Sequence, residues 1–206
     1  MEFLLDPVEI AKKSMTIIEE NLPQLAQWPP LEREVLKRII HTSGDLSCLS
    51  LIDIHPDAVK TGIKAISAGQ DILTDVNMVR AGLISSRLGE FGISVHCLIN
   101  DPLVVAEARE KGLTRAMVAI QRGASLAEGG IVAIGNAPTA LFALCDLIQK
   151  GQARPALVVG MPVGFVGAKE SKELLVSTGV PYITIHGTRG GSNMAAAAVN
   201  ALLLLA

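Results

Sequence analysis

The chain has 206 residues, 50% of them hydrophobic, with 18 basic and 20 acidic residues and a formal net charge of -2. With no basic stripe and only 3% aromatic residues, it lacks the electrostatic footprint and the stacking platform of a nucleic-acid binder. A chain this long buries roughly 70% of its unfolded surface and needs no disulfide staples, and its three cysteines, Cys48, Cys97 and Cys145, form no C-x-x-C and read as reduced thiols of a cytoplasmic protein.

The opening "MEFLLDPVEI" has two acids and no basic n-region, so no secretory leader is expected. The first 70 residues read as helical. "DPVEIAKKSMTIIEENLP" starts with Asp6 as N-cap and Pro7 at the first helical position. Its apolar positions Val8, Ile10, Met15, Ile17, Ile18 and Leu22 follow a rough helical period. A second helix, "PLEREVLKRII", runs into His41, and a third, "PDAVKTGIKAISAG", ends at Gly69.

From residue 71 the pattern changes. Short apolar runs rich in β-branched residues, in "DILTDV", "GISVHCLIN", "GIVAIGN", "PALVVGMPV" and "PYITIHG", alternate with helical stretches beginning at "NMVRAG", "DPLVVAEAREKG", "PTALFALCDLIQKG" and "AKESKELLVSTG". Such runs predict a parallel sheet covered on both faces, a doubly wound α/β arrangement. The closing "MAAAAVNALLLLA" is apolar over 13 residues, short of the about 20 a bilayer requires, and predicts a buried helix packed on the sheet. No repeat or linker divides the chain, so one domain is expected over residues 1–206, helical to about residue 70 and α/β from about 71. The apolar content fits a subunit interface as readily as a large monomer core.

Doubly wound sheets bind ligands at the carboxyl ends of their strands. Three turns there carry the candidate residues. In "GTRGGSNM", Gly190 and Gly191 permit positive φ, Ser192 can cap the next helix, and Arg189 strengthens an anion site; the alternative is an ordinary glycine-rich turn. In "PVGFVGAKESK", Gly164 and Gly167 allow close approach of a flat ligand, while Lys169 and Lys172 can meet carboxylates or simply be solvated helix charges. The segment is not a Walker A loop, and G-x-G-x-x-G is absent from the chain. In "AIGNAPTALFAL", Asn136 at a strand tip is a ligand contact or plain turn chemistry. Arg80 in "DVNMVRAG" can bind an acid or lie on the surface. From its position alone His41, with Gly44 three residues on, reads first as the polar end of a helix and only second as a catalytic group. Ser43 and Asp45 beside it suggest a triad, but such a site draws its members from separate places in the fold. His55, His96 and His186 have no metal-ligand spacing, and the last two read as strand histidines; no metal and no cofactor are expected.

Taken together, "DPVEIAKKSMTII", "IIHTSGD", "MVRAGL", "AIGNAPTALFAL", "PVGFVGAKESK" and "RGGSNMAAAAVNAL" resemble, in order and across nearly the whole chain, the signature segments of the precorrin-8X methylmutase family, also called cobalt-precorrin-8 methylmutase. One departure is Ser43, where some members carry a cysteine. The resemblance implies an isomerase of cobalamin synthesis that moves a methyl group from carbon 11 to carbon 12 of a tetrapyrrole, formally a 1,5-sigmatropic shift. The product is hydrogenobyrinate, or cobyrinate when the substrate already carries cobalt. It further implies a three-layer α/β/α fold with the early helices packed on the sheet, a homodimer, His41 as the catalytic residue, and Ser14 near the substrate; Thr42 beside His41 joins the expected substrate contacts. Two other readings remain: a phosphate- or nucleotide-binding α/β enzyme, supported by "GTRGGS", and a non-catalytic corrinoid-binding protein. Neither nucleic acid nor membrane is an expected partner.

Overall fold

The computed structural model describes residues 5–206; residues 1–4, at the head of the stretch read for a leader, lie outside the described residues. Helix α1 (Pro7–Asn21) begins as its sequence requires, with Asp6 Oδ1 accepting from the N–H groups of Val8 and Glu9 at 2.8 and 2.9 Å. A 3-10 turn (Pro23–Gln27) leads to α2 (Pro30–Ser43), which ends on Gly44 at φ +64°, in the left-handed region. The two helices run in opposite senses, since Leu22 and Glu19 of the first meet Arg33 and Lys37 of the second in turn.

The first seventy residues are not all helical, as the sequence reading had them. Ile52–Ile54 forms β1, an edge strand antiparallel to β6 (Tyr182–Ile185). Three residues with an aspartate in the middle are too short to display a period, and the strand exists because β6 supplies its hydrogen bonds. Helix α3 (Ala58–Ser67) then leads into β2 (Ile72–Thr74), α4 (Asn77–Ala81), α5 (Ser85–Phe91) and β3 (Val95–His96). Next come α6 (Pro102–Lys111), α7 (Arg115–Gly123), β4 (Ile131–Ile134), α8 (Pro138–Gln149), β5 (Leu157–Gly160) and α9 (Ala168–Ser177); β6 and α10 (Ser192–Leu205) close the chain.

The sheet order is β1-β6-β5-β4-β2-β3, parallel except for β1. Its central strands are buried on both faces, which explains their near-continuous apolar runs. Side chains alternate between faces. Ile131, Ala133, Val159 and Ile183 pack beneath the layer of α1 to α5 and α10, while Val132, Ile134, Val158 and Tyr182 pack beneath α7, α8 and α9, with α6 on the far side of α7. The result is the expected three-layer α/β/α fold. The apolar C-terminal helix α10 is buried along most of its length against α2 and the sheet. Among the described residues no helix is long and apolar enough to cross a membrane.

Candidate active site

The chain leaves β2 for β3 on one side and returns to β4 on the other, so the topological switch point lies between the carboxyl ends of β2 and β4. Open α/β sheets usually bind ligands in that crevice. Here the protein fills it with its own carboxylate. Asp75, just beyond β2 and 0% exposed, accepts from the backbone N–H groups of Gly135, Asn136 and Ala137 at 3.0, 2.9 and 2.8 Å. Burial raises its pKa above the ordinary carboxylate value, with the three N–H donors opposing. The turn after β4 is thereby locked, and Asn136 is left with an exposed side chain. Sequence reasoning missed Asp75. Its only local sign is a carboxylate directly after an apolar run, and its partners lie some sixty residues away.

The open ground lies to the side, where three segments converge on a cavity of about 360 Å³. The end of α2 and the residues after it contribute Ser43, Asp45 and Cys48; the loop after β5 contributes Val163 and Phe165; the turn after β6 and the start of α10 contribute Thr188, Arg189, Gly190, Asn193 and Met194. Arg189 holds the segments together: its guanidinium donates to Asp45, to the Ser47 hydroxyl at 3.0 Å and to Cys48 Sγ at 3.5 Å. Hydrogen bonds from Ser47 and then the Arg189 charge keep the Asp45 carboxyl below its ordinary pKa. Gly190 is required as glycine. Its φ is +153°, and a Cβ there would stand 2.3 Å from the carbonyl oxygen of Met161. Gly191, at φ +135°, donates its N–H to that same oxygen at 2.8 Å. Beneath the turn, the fully buried Lys172 donates to the Arg189 carbonyl at 2.6 Å. Burial pushes the Lys172 pKa down to about 8.

Ser192 does not cap α10. Gly191 occupies the N-cap position and Ser192 is the first helical residue, buried, with no side-chain cap at that helix end. The extended Gly-Gly backbone carries the chain one residue further before the helix begins. The first N–H groups of α10 therefore open beside Gly190 and Asn193 at the cavity, an arrangement suited to an anionic group.

His41 lies in the last turn of α2, exposed and with no side-chain hydrogen bond among the described residues. It stands two residues before Ser43 and is not itself part of the cavity wall. A local triad is excluded: the Ser43 hydroxyl donates to the Ile40 carbonyl at 2.8 Å and accepts from the N–H of Asp45 at 3.1 Å. Thr42 is also exposed. Ser14 lies half-buried on α1, its hydroxyl donating to Ile10 O at 2.9 Å. Because Glu19 meets Lys37 and the helices are antiparallel, stepping back to Ser14 and forward to His41 moves the same way along the pair.

The other expected residues are dispersed. Arg80 is exposed beside a separate cavity of about 630 Å³ between α4, α5 and β3, lined also by Asn77, Leu88 and Val95. Lys169 faces solvent and sits 3.7 Å from Glu173 one turn on. Gly164 and Gly167 bracket the loop that carries Phe165. Among the described residues no three His, Cys, Asp or Glu side chains gather as a metal site, and the three cysteines are free.

A sequence model of the precorrin-8X methylmutase family matches residues 9–205. The cobalt-precorrin-8 methylmutase of Priestia megaterium is 42% identical over 98% of this chain and 89% of its own length. The precorrin-8X methylmutase of Pseudomonas aeruginosa is 43% identical over 98% of this chain and 97% of its own. A crystal structure of precorrin-8X methylmutase from Thermus thermophilus superposes with a TM-score of 0.88 at 42% identity, covering 96% of this chain and 95% of that one. With a family model matching residues 9–205, the same fold and this identity over nearly the full length, the chain belongs to the precorrin-8X methylmutase family.

Proposed function

We propose that this protein is a methylmutase of cobalamin biosynthesis, moving the methyl group of precorrin-8X or cobalt-precorrin-8 from carbon 11 to carbon 12 to give hydrogenobyrinate or cobyrinate. The observation that carries the reading is the family match over residues 9–205; the exposed position of His41 in the last turn of α2, two residues before the cavity residue Ser43, supports its proposed role.

The shift breaks one carbon–carbon bond as it forms another, so it needs no nucleophile. It does need a proton to polarise the conjugated system and fix the product tautomer. His41 serves as that donor and recovers the proton, the general acid–base role that an imidazole most often fills. The carboxylate arms of the substrate meet Arg189, the Gly190–Gly191 turn and the start of α10. Ser14, Thr42, Asn136, Gly164, Gly167 and Ser192 are further proposed contacts, and Arg80, beside a separate cavity, is proposed for a substrate arm there. Lys169 is the weakest of the set, given its position beside Glu173. Ligand pockets typically run about 300–1,000 Å³, so a cavity of about 360 Å³ takes one edge of a tetrapyrrole and leaves the rest above it, toward His41.

The chain acts as one methylmutase domain and as a homodimer. Leu5, Val8, Ile10 and Ile17 of the first helix region and Leu31 of α2 expose apolar surface that a second copy would cover. Free thiols suit the reducing cytoplasm, where we place the reaction. The test is to incubate the pure protein with metal-free and with cobalt-loaded substrate and follow the absorption change. Conversion of either substrate supports the reading, and the faster one identifies the natural form. Tight product binding with no conversion of either would leave a corrinoid-binding protein instead.

A further inference from the structure

Phe165 and Val166 are 94% and 89% exposed. The chain has only four phenylalanines, and this one stands in solvent at the carboxyl edge of the sheet. Covering such a side chain is worth about 1.5–3 kcal/mol, so leaving it bare is a cost that folding alone does not explain. Nor is the loop loose. At one end the N–H of Gly164, whose φ is +147°, donates to the Thr188 carbonyl at 3.1 Å, joining the loop to the turn that carries Arg189. At the other end Gly167, at φ +77°, sits so close to α8 that a Cβ would lie 3.2 Å from the Phe142 ring. Between these two anchors the backbone thrusts Phe165 outward.

Phe165 also belongs to the cavity wall. The same cavity is lined by the apolar Val163 and Met194 and by Arg189, Asp45 and Gly190. A ligand that complements such a mixed lining has a flat apolar body and an anionic rim. We infer that Phe165 is a substrate-contact residue, its ring held by the Gly164–Gly167 loop to pack against the face of the conjugated macrocycle while the carboxylate arms meet the Arg189 turn. This rests on the tetrapyrrole reading above and adds to it the element that seats the ring face. A second copy of the chain is the competing cover for the same side chain, and the experiment separates the two.

Hydrogenobyrinate binding is titrated against wild type, Phe165→Ala and Phe165→Trp, and each protein is run in sedimentation velocity at the titration concentration. Phe165→Ala is expected to bind roughly 10- to 100-fold more weakly, the loss of one buried aromatic contact. Its KM should rise while kcat changes little, because a stacked face is held alike in ground and transition states. Phe165→Trp is expected to keep its affinity and to gain an emission, over that of Trp28, that the bound macrocycle quenches. Sedimentation and melting temperature should match wild type in both, since an exposed ring contributes little to the fold. Unchanged affinity in Phe165→Ala overturns the inference and leaves the methylmutase reading standing. A loss of affinity that only tracks dissociation of an oligomer also overturns it, in favour of a subunit contact. A wild type that neither binds nor converts tetrapyrrole removes the functional reading, and this inference with it.

Discussion

Lys172→Met should stabilise the protein at neutral pH. Among the described residues two lysines are buried, and they differ in company. Lys37 lies 2.7 Å from Glu19 and 2.6 Å from Glu34. Lys172 is fully buried, has no carboxylate within ion-pair distance among the described residues, and donates to one carbonyl, that of Arg189 at 2.6 Å. Its pKa falls from 10.5 to about 8 because burial disfavours the charged form. At 1.36 kcal/mol for each pH unit, that depression corresponds to about 3 kcal/mol of folding stability forfeited wherever both states are protonated. The sign follows from proton counts. Between pH 8 and 10.5 the unfolded chain holds the proton and the folded one has released it, so stability rises with pH across that window and the penalty is complete below pH 8. Methionine fills similar volume without charge. It forgoes the hydrogen bond to the Arg189 carbonyl, worth about 1.5–3 kcal/mol, and also avoids burying an amine, so these two effects largely offset. The expected result in urea denaturation at pH 7 is a gain of about 2 kcal/mol, shrinking toward zero or reversing by pH 10. Comparing mutant with wild type at each pH removes the contribution of other titrating groups. A Lys172→Met protein that is less stable at pH 7, by an amount constant to pH 10, would refute the reasoning and show that the ammonium meets a counter-charge.

Two further outcomes follow from the same region. Asp75→Ala leaves two buried N–H groups and one part-buried N–H group without an acceptor and should cost about 2–4 kcal/mol in urea denaturation, at about 1–3 kcal/mol for each buried unsatisfied group less what relaxation recovers; a change under 1 kcal/mol would show that the turn holds itself. Arg189→Ala should weaken hydrogenobyrinate binding at low salt more than it lowers kcat, measured by titration and by steady-state kinetics; equal affinity in the mutant would confine Arg189 to its contacts with Asp45 and Ser47.

Strands β2, β4, β5 and β6 were legible in the sequence because burial on both faces writes a continuous apolar run. The Asp6–Pro7 start of α1 was legible because capping chemistry is local. What depends on distant partners was not. β1 needs β6, and Asp75 reads as one more loop acid until Gly135 to Ala137 close over it. Helix α7 went unmarked although Thr114 caps it through the N–H of Met117 and its buried residues Ala116, Ala119, Ile120 and Gly123 recur at helical spacing. In the site, the glycine-rich turns announced themselves, but their assignment to tetrapyrrole chemistry came from the ordered family segments and not from any one motif. Phe165 was read only as part of a turn, because exposure of a phenylalanine cannot be seen in a string of letters. Lys169 and Lys172 looked alike in sequence, but the core-facing stripe of α9 runs through Ala168, Ser171, Lys172 and Leu175 and leaves Lys169 at its solvent edge.

The most direct test of the central claim is His41→Ala, with folding, product binding and turnover measured on one sample. His41 is exposed and its side chain makes no hydrogen bond among the described residues, so the fold should be nearly indifferent, with about 0.5–1 kcal/mol lost at most from the helix end. A proton donor acts mainly in the transition state, so hydrogenobyrinate affinity should be retained while methyl migration slows about 10²–10⁴-fold, roughly 3–5 kcal/mol of barrier. A variant that folds, holds the coloured product and fails to convert substrate is the predicted result. A variant with a slightly lower melting temperature and normal turnover per folded molecule would contradict it and return His41 to the role of a helix terminus.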